Sequence, residues 1–256
     1  VRALAARLLA EPRTRHLPPN EPATTVARRK VLAAKAPLRR IYEEWYDDLA
    51  ARLPAGPGAV LELGSGPGFL AERIPGLVTS EVFVCGGLRA ALDARALPFR
   101  AGALRGILMT DVFHHVPDAG RFLREASQVL RPGGRIVMVE PWVTPWSRFV
   151  YGWLHHEPFD PEAEDWTFSP GGPLSAANGA LPWIVFARDR ERLARELPAL
   201  RVVDVAPCLP FRYLFSGGLT VRALLPDAAF GPLARAETRL GPRARKRWAM
   251  FARIVV

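Results

Sequence analysis

The stretch Val60-Leu61-Glu62-Leu63-Gly64-Ser65-Gly66-Pro67-Gly68-Phe69 runs from an apolar, strand-like segment straight into a turn paved with alternate glycines. Glycine reaches backbone conformations that a Cβ forbids and lets a ligand approach the main chain. A strand that ends this way therefore predicts a nucleotide-type pocket at the C-terminal edge of a parallel sheet. The spacing narrows the ligand. A dinucleotide fingerprint, G-x-G-x-x-G, wants its last glycine where this chain has Phe69, which argues against a nicotinamide oxidoreductase. Glu62, two residues before the first glycine, has no place in a simple phosphate cradle.

A chain of 256 residues with 49% apolar side chains can bury a substantial core. No apolar run approaches the roughly 18–20 residues of a membrane span. Val1 to Ala10 carries arginines in a short amphipathic pattern without a small-residue cleavage site, so no signal peptide is read. Cys85 and Cys208 share no redox or metal spacing and read as reduced residues of a cytoplasmic protein. The formal charge of +10 raises the question of a nucleic-acid partner. Its arginines are spread from Arg2 to Arg253 among alanines, with clusters only at Arg28-Arg29-Lys30, Arg39-Arg40 and 243–247. That distribution reads against nucleic acid, leaves peripheral membrane contact open, and does not bear on oligomeric state.

Strands alternate with helices along the middle of the chain, the pattern of a doubly wound sheet. Residues 1–54 read as an N-terminal helical cap, in which Ile41, Trp45, Leu49 and Leu53 form one apolar stripe. Residues 55–140 read as the nucleotide-binding core, with strands at 59–63, 77–83, just before Asp93, at 106–110 and at 136–139. Short and long helices are expected at 69–74 and 117–130, the second capped by Asp118. From 141 to 187 periodicity fails and Trp, Pro and Gly accumulate, which predicts an irregular lid or substrate insertion. Residues 188–256 would complete the sheet, with a helix at 189–197 and strands at 201–205 and 250–256.

Further segments fall in a telling order after the glycine turn. Thr79-Ser80-Glu81 puts an acid at the end of the second strand, where a carboxylate can accept both hydroxyls of a ribose. Leu92-Asp93-Ala94 precedes Leu97-Pro98-Phe99, Met109 to Val116 follows the fourth strand, and Leu130-Arg131-Pro132-Gly133-Gly134 precedes the fifth. In this order, residues 60–140 resemble the small-molecule class I S-adenosyl-L-methionine (SAM) methyltransferases, the broad group called type 11. The resemblance implies a Rossmann-like, seven-stranded, mostly parallel sheet with an antiparallel last strand and helices on both faces. It also implies SAM as cofactor, held by Glu62, Gly64, Ser65, Gly66, Gly68, Glu81, Asp93, Ala94, Asp111 and Val112. The chain departs from the pattern after Glu81, where too few residues precede Asp93 for a crossover helix of about 10–12 residues.

Methyl transfer to an already nucleophilic acceptor needs alignment more than acid–base help. A hydroxyl acceptor would need a base, and histidine is the fitting type. His114 and His115 follow the fourth strand, and adjacent residues do not point the same way, so at most one would face the acceptor. His155-His156-Glu157 follows Trp142, Trp146, Tyr151 and Trp153, and His156 is the third candidate base. Tyr42, Trp142, His155, Asn178 and Tyr213 are candidate acceptor contacts. The histidines lack the i, i+4 spacing of a helical metal site, so no metal is expected. The resulting expectation is methyl transfer to a small, hydrophobic or lipid-like acceptor at an O, N or C nucleophile. A non-catalytic SAM-binding scaffold or sensor, and an RNA or DNA methyltransferase, are the rival readings; against the latter, Asp111-Val112-Phe113-His114 replaces the proline-aromatic tetrad that grips a flipped base.

Overall fold

A computed structural model of the chain describes residues 9–18, 20–154, 157–169, 171–172 and 176–256. Its seven strands form one sheet: β1 (Ala59–Leu63), β2 (Val78–Glu81), β3 (Ala90–Ala91), β4 (Leu104–Thr110), β5 (Leu130–Pro141), β6 (Asp204–Cys208) and β7 (Phe251–Val255). Their order is β3-β2-β1-β4-β5-β7-β6. The first five run parallel, with Leu61 beside Ile107 and Ile107 beside Ile136, and β7 enters antiparallel between β5 and β6. No helix among the described residues is long and apolar enough to cross a membrane.

The two-residue period of a strand sorts the core into two layers. Leu61, Leu63, Ile107, Met109, Ile136 and Met138 face α3 (Ala119–Val129) and the segment around Ile184. Val60, Leu108, Val137 and Val139 face α2 (Ala36–Ala51), which brings Ile41, Tyr42, Trp45, Tyr46 and Leu49 onto them, with α1 (Pro22–Ala34) adding Leu32. Removing each such side chain from water is worth about 1.5–3 kcal/mol. Asp118 caps α3 as its sequence predicts, its Oδ1 accepting the Arg121 N–H at 2.8 Å.

Two expectations need correction. The helix expected at 69–74 is a single 3-10 turn, Leu70–Glu72, because Pro67-Gly68 and Pro75-Gly76 leave room for no more. The link from β2 to β3 holds no helix, as the short spacing between Glu81 and Asp93 predicts. The layer that those crossovers would have covered is closed instead by α1 and α2, with Leu70, Ile74 and Leu77 packed beneath them. The 141–187 stretch is not irregular throughout, since α4 (Pro145–Leu154) opens it. The signal was present: Thr144 and Ser147 exchange side-chain-to-backbone hydrogen bonds of 2.8 and 3.0 Å around Pro145, a capping box with proline in the first turn. Beyond α4 the chain continues through α5 (Arg190–Glu196), α6 (Arg212–Ser216), α7 (Phe230–Thr238) and α8 (Pro242–Trp248).

Candidate functional site

At the C-terminal ends of β1, β2 and β4 lies a cavity of about 1080 Å³, beside a smaller one of about 320 Å³ under α1. The glycine turn separates them. Gly64 takes φ +62°, and a Cβ there would come within 2.5 Å of Val112 Cγ2. A Cβ on Gly68 would fall 2.2 Å from the Tyr46 hydroxyl. These two positions let the turn lie flat between the post-β4 residues and α2.

Gly64, Gly66, Glu81, Asp93, Ala94, Asp111 and Val112 line the large cavity, as expected of one ligand site. Glu62, Ser65 and Gly68 line the small one. Period-2 alternation explains the split, because Glu62 shares a strand face with Val60 and so points toward α1 and α2. The Ser65 hydroxyl donates to Glu62 Oε2 at 2.6 Å. Burial pushes the Glu62 carboxyl up to about 7, against the Ser65 hydrogen bond and with the help of nearby Glu81. Its ordinary value is near 4.5. Between these values the unfolded chain ionises while the folded one stays protonated, so stability is full at low pH and is lost as pH rises toward about 7. Glu62→Gln lacks this loss and is expected to overtake the parent from pH 5 to pH 8, by up to about 3 kcal/mol. Chemical denaturation at the two pH values reads the gap, and an unchanged difference would contradict it.

Glu81 is buried at the end of β2, where Oε2 accepts the Gly66 N–H at 3.2 Å and Oε1 the Val82 N–H at 3.0 Å. Burial raises its pKa while these amides pull it down. Asp93 is gripped by Arg95 through contacts of 2.7 to 3.1 Å, and that hydrogen bonding holds its carboxyl below the usual range.

The other wall is organised by a residue that the sequence patterns do not single out. Glu140, wholly buried at the end of β5, accepts the Val112 and Phe113 N–H groups at 2.9 and 2.8 Å on Oε1. Its Oε2 lies 2.8 Å from His114 Nδ1. An acid at the end of a β-branched, doubly buried strand was the available signal. Asn178 serves the structure instead of the cavity. Its Oδ1 accepts the Asp160 and Ala180 N–H groups, and its own backbone N–H reaches the His114 carbonyl at 3.0 Å. It therefore pins residues 157–160 beside the post-β4 turn and does not line the cavity.

That turn, Phe113–His115, is 3-10, so neighbouring side chains are about 120° apart, not opposed. Only His115 lines the cavity, as the sequence predicts for one of the pair, yet both rings reach the same carboxylate. His114 Nε2 stands 3.6 Å from Glu157 Oε2, and His115 Nε2 stands 3.9 Å from Glu157 Oε1. Burial favours neutral His114, but Glu140 and Glu157 outweigh it and hold its pKa well above the ordinary range. Burial and the neighbouring His114 drive His115 down to about 4. Asp111, in the left-handed region at φ 61°, is raised to about 7 by burial against the pull of His114.

Tyr42 and Tyr213 line the cavity, Tyr213 stacking on Trp45 with ring centres 5.6 Å apart. Trp142 does not, because it is buried in the core layer around α3, where its backbone N–H donates to the Met250 carbonyl at 2.8 Å. His155 and His156 lie outside the described residues.

Residues 61–138 match the family described as "Methyltransferase domain". That segment of the chain is similar to a methyltransferase domain. Among curated relatives, an uncharacterized methyltransferase of Mycobacterium sp. (strain JLS) is 29% identical over 142 residues, covering 46% of this chain and 56% of that protein. An uncharacterized 37.1 kDa protein in transposon Tn4556 of Streptomyces fradiae is 36% identical over 110 residues, covering 35% of this chain and 32% of the other. The chain thus spans little more than half the length of the mycobacterial relative. The geranyl diphosphate C-methyltransferase of Streptomyces coelicolor A3(2), solved with Mg2+, geranyl diphosphate and S-adenosyl-L-homocysteine, shares the fold at 12% identity. That match covers 96% of this chain and 89% of that one, with a TM-score of 0.50. The chain's own residues fit SAM: a glycine turn without Cβ crowding faces a buried ribose-type acid, Glu81, across one cavity.

Proposed function

We propose that this protein transfers a methyl group from SAM to a small, largely apolar acceptor bound in the large cavity. The observation that carries the reading is the single cavity of about 1080 Å³ that joins the glycine turn and Glu81 to an aromatic wall. Ligand pockets run to roughly 300–1,000 Å³, so the space accommodates two ligands side by side. SAM, when bound, supplies an electrophilic sulfonium methyl. The chain's contribution is placement. Gly64 and Gly66 present backbone to the ligand, Glu81 offers carboxylate oxygens to a diol, and Asp93 with Arg95 walls the far end. Tyr151, Phe159, Leu214, Leu219 and Phe251 supply the apolar side, which suits a hydrophobic or lipid-like acceptor and excludes water around it. His115 and the Glu157 carboxylate are the polar groups of the wall that face a bound acceptor. His114, enclosed behind them, positions Glu157 and does not touch the cavity.

Arg28 of α1 lines the same cavity, and among the described residues its buried Nε has no hydrogen-bond partner. A buried donor left unmatched is costly and calls for an anion. Arg28 shares this cavity with Glu81, Asp111 and the glycine turn, and in this reading it is the partner of the cofactor's carboxylate.

Calorimetry with SAM and S-adenosyl-L-homocysteine tests the reading, and no binding at high micromolar ligand would overturn it. Arg28→Met is expected to weaken SAM about tenfold, the scale of one charge-assisted hydrogen bond. Unchanged SAM affinity with lost turnover would reassign Arg28 to an acidic acceptor.

A further inference from the structure

The two histidines after β4 and Glu157 come from segments with no recognisable metal-ligand spacing, yet they meet at one point. The side-chain ligand atoms of His114, His115 and Glu157 all lie within 4.8 Å of one another. Asp111 Oδ1 adds a fourth potential ligand atom 3.9 Å from His114 Nε2. Two ligand atoms each about 2.1 Å from a tetrahedral ion stand about 3.4 Å apart. The 3.6 and 3.9 Å edges to Glu157 are close to that spacing but run to its two different oxygens, and the three ligand atoms fall within 4.8 Å of one another, so side-chain rotation draws them inward on ligation.

The imidazoles are also set for ligation. His114 Nδ1 is 2.8 Å from the Glu140 carboxylate, and His115 Nδ1 is 3.0 Å from the Ala176 carbonyl. An oxygen acceptor at each Nδ1 fixes the ring orientation, so a cation that displaces the His114 Nε2 proton meets both Nε2 atoms at the common point. This is the carboxylate–histidine or carbonyl–histidine support that metal-bound imidazoles carry. Three carboxylates, Asp111, Glu140 and Glu157, surround the pair, so a cation at the centre balances charge that burial makes expensive.

We infer that His114 Nε2, His115 Nε2 and the Glu157 carboxylate, with Asp111 beside them, form a binding site for one divalent first-row transition cation on the wall of the cavity. Imidazole with carboxylate is the donor set of Zn2+, Mn2+, Fe2+ and Co2+, in contrast to the all-oxygen sets of Mg2+ and Ca2+. His115, Glu157 and Asp111 open onto the cavity, so the ion has an entry path and a face for an outside ligand. Its role, which rests on the methyl-transfer reading as its binding does not, is to hold and orient an acceptor through an oxygen.

The test uses the tag-free full chain, stripped with chelator and titrated with Zn2+, Mn2+ and Co2+, with SAM binding measured separately on the same samples. Bound metal is counted by mass spectrometry after desalting, and Co2+ is followed by its visible absorption. One equivalent of Zn2+ or Co2+ is expected, with a Co2+ spectrum of low coordination number. Glu157→Gln and His115→Ala are expected to weaken the metal at least tenfold, in the range by which even supporting residues alter such sites. Circular dichroism and SAM affinity check that each variant is folded. His114→Ala is avoided as the main probe because His114 is buried against Glu140. No stoichiometric metal in the parent, or equal metal binding in both folded variants, overturns the site. Failure of SAM binding with metal retained would instead overturn the methyl-transfer reading alone.

Discussion

Replacing Glu81 with alanine is expected to weaken SAM binding by about 10- to 150-fold, the span of about 1.5–3 kcal/mol for a hydrogen bond to a charged group. The reason lies in its position. Glu81 stands at the end of β2, facing the cavity, with one oxygen already orienting the Gly66 amide of the glycine turn. Its removal takes away a diol acceptor and also the restraint on Gly66. Because the freed amides border a cavity that water can enter, the melting temperature should move by only a few degrees. Glu81→Gln keeps an acceptor oxygen and should fall between the two. Calorimetric titration of the three proteins decides, and affinity within twofold of the parent for Glu81→Ala would remove Glu81 from the cofactor site.

Glu140→Ala is expected to act on stability first. A wholly buried carboxylate that accepts two backbone amides and a histidine ring cannot be deleted without leaving those donors unmatched. Breaking a buried charged pair on one side costs about 3–5 kcal/mol, which for a chain of this size lowers the melting temperature by roughly 10 °C or more. Glu140→Gln retains an oxygen for the Val112 and Phe113 amides and should lose less than half as much. Thermal melts and denaturant titrations provide the reading. A melting temperature for Glu140→Ala within 2 °C of the parent would show that the post-β4 turn does not depend on this carboxylate.

Local signals carry much of the architecture. The capped helix after Asp118, the β-branched fifth strand and the glycine turn each have short-range causes, and each stands near its expected place. The helix expected after Phe69 fails for an equally local reason, prolines on both sides of a short span, which outweigh its apolar pattern. α4 is hard to see in the sequence because tryptophans and prolines mask a capping box at Thr144 to Ser147.

Much of the site is non-local. Glu140 touches His114 across 26 positions and Asn178 pins Asp160 across 18, and nothing in a one-dimensional pattern couples such pairs. The same holds for Arg28, which sequence alone places in a basic cluster and the fold turns into the cavity. Glu157 stands in sequence beside two histidines of its own segment, whereas the described structure brings it to the other pair.

One turn of α1 carries adjacent arginines with different duties. Arg28 enters the large cavity, while the Arg29 guanidinium donates to the Gly66 carbonyl at 3.2 Å and lines the small one. A helix that replaces a missing crossover thereby grips the glycine turn from outside and reaches over it from above. Shifting α1 by sequence change would thus retune cofactor grip and pocket shape in one stroke, so new acceptor preferences should be easier to obtain from the α4 and α6 walls than from this helix.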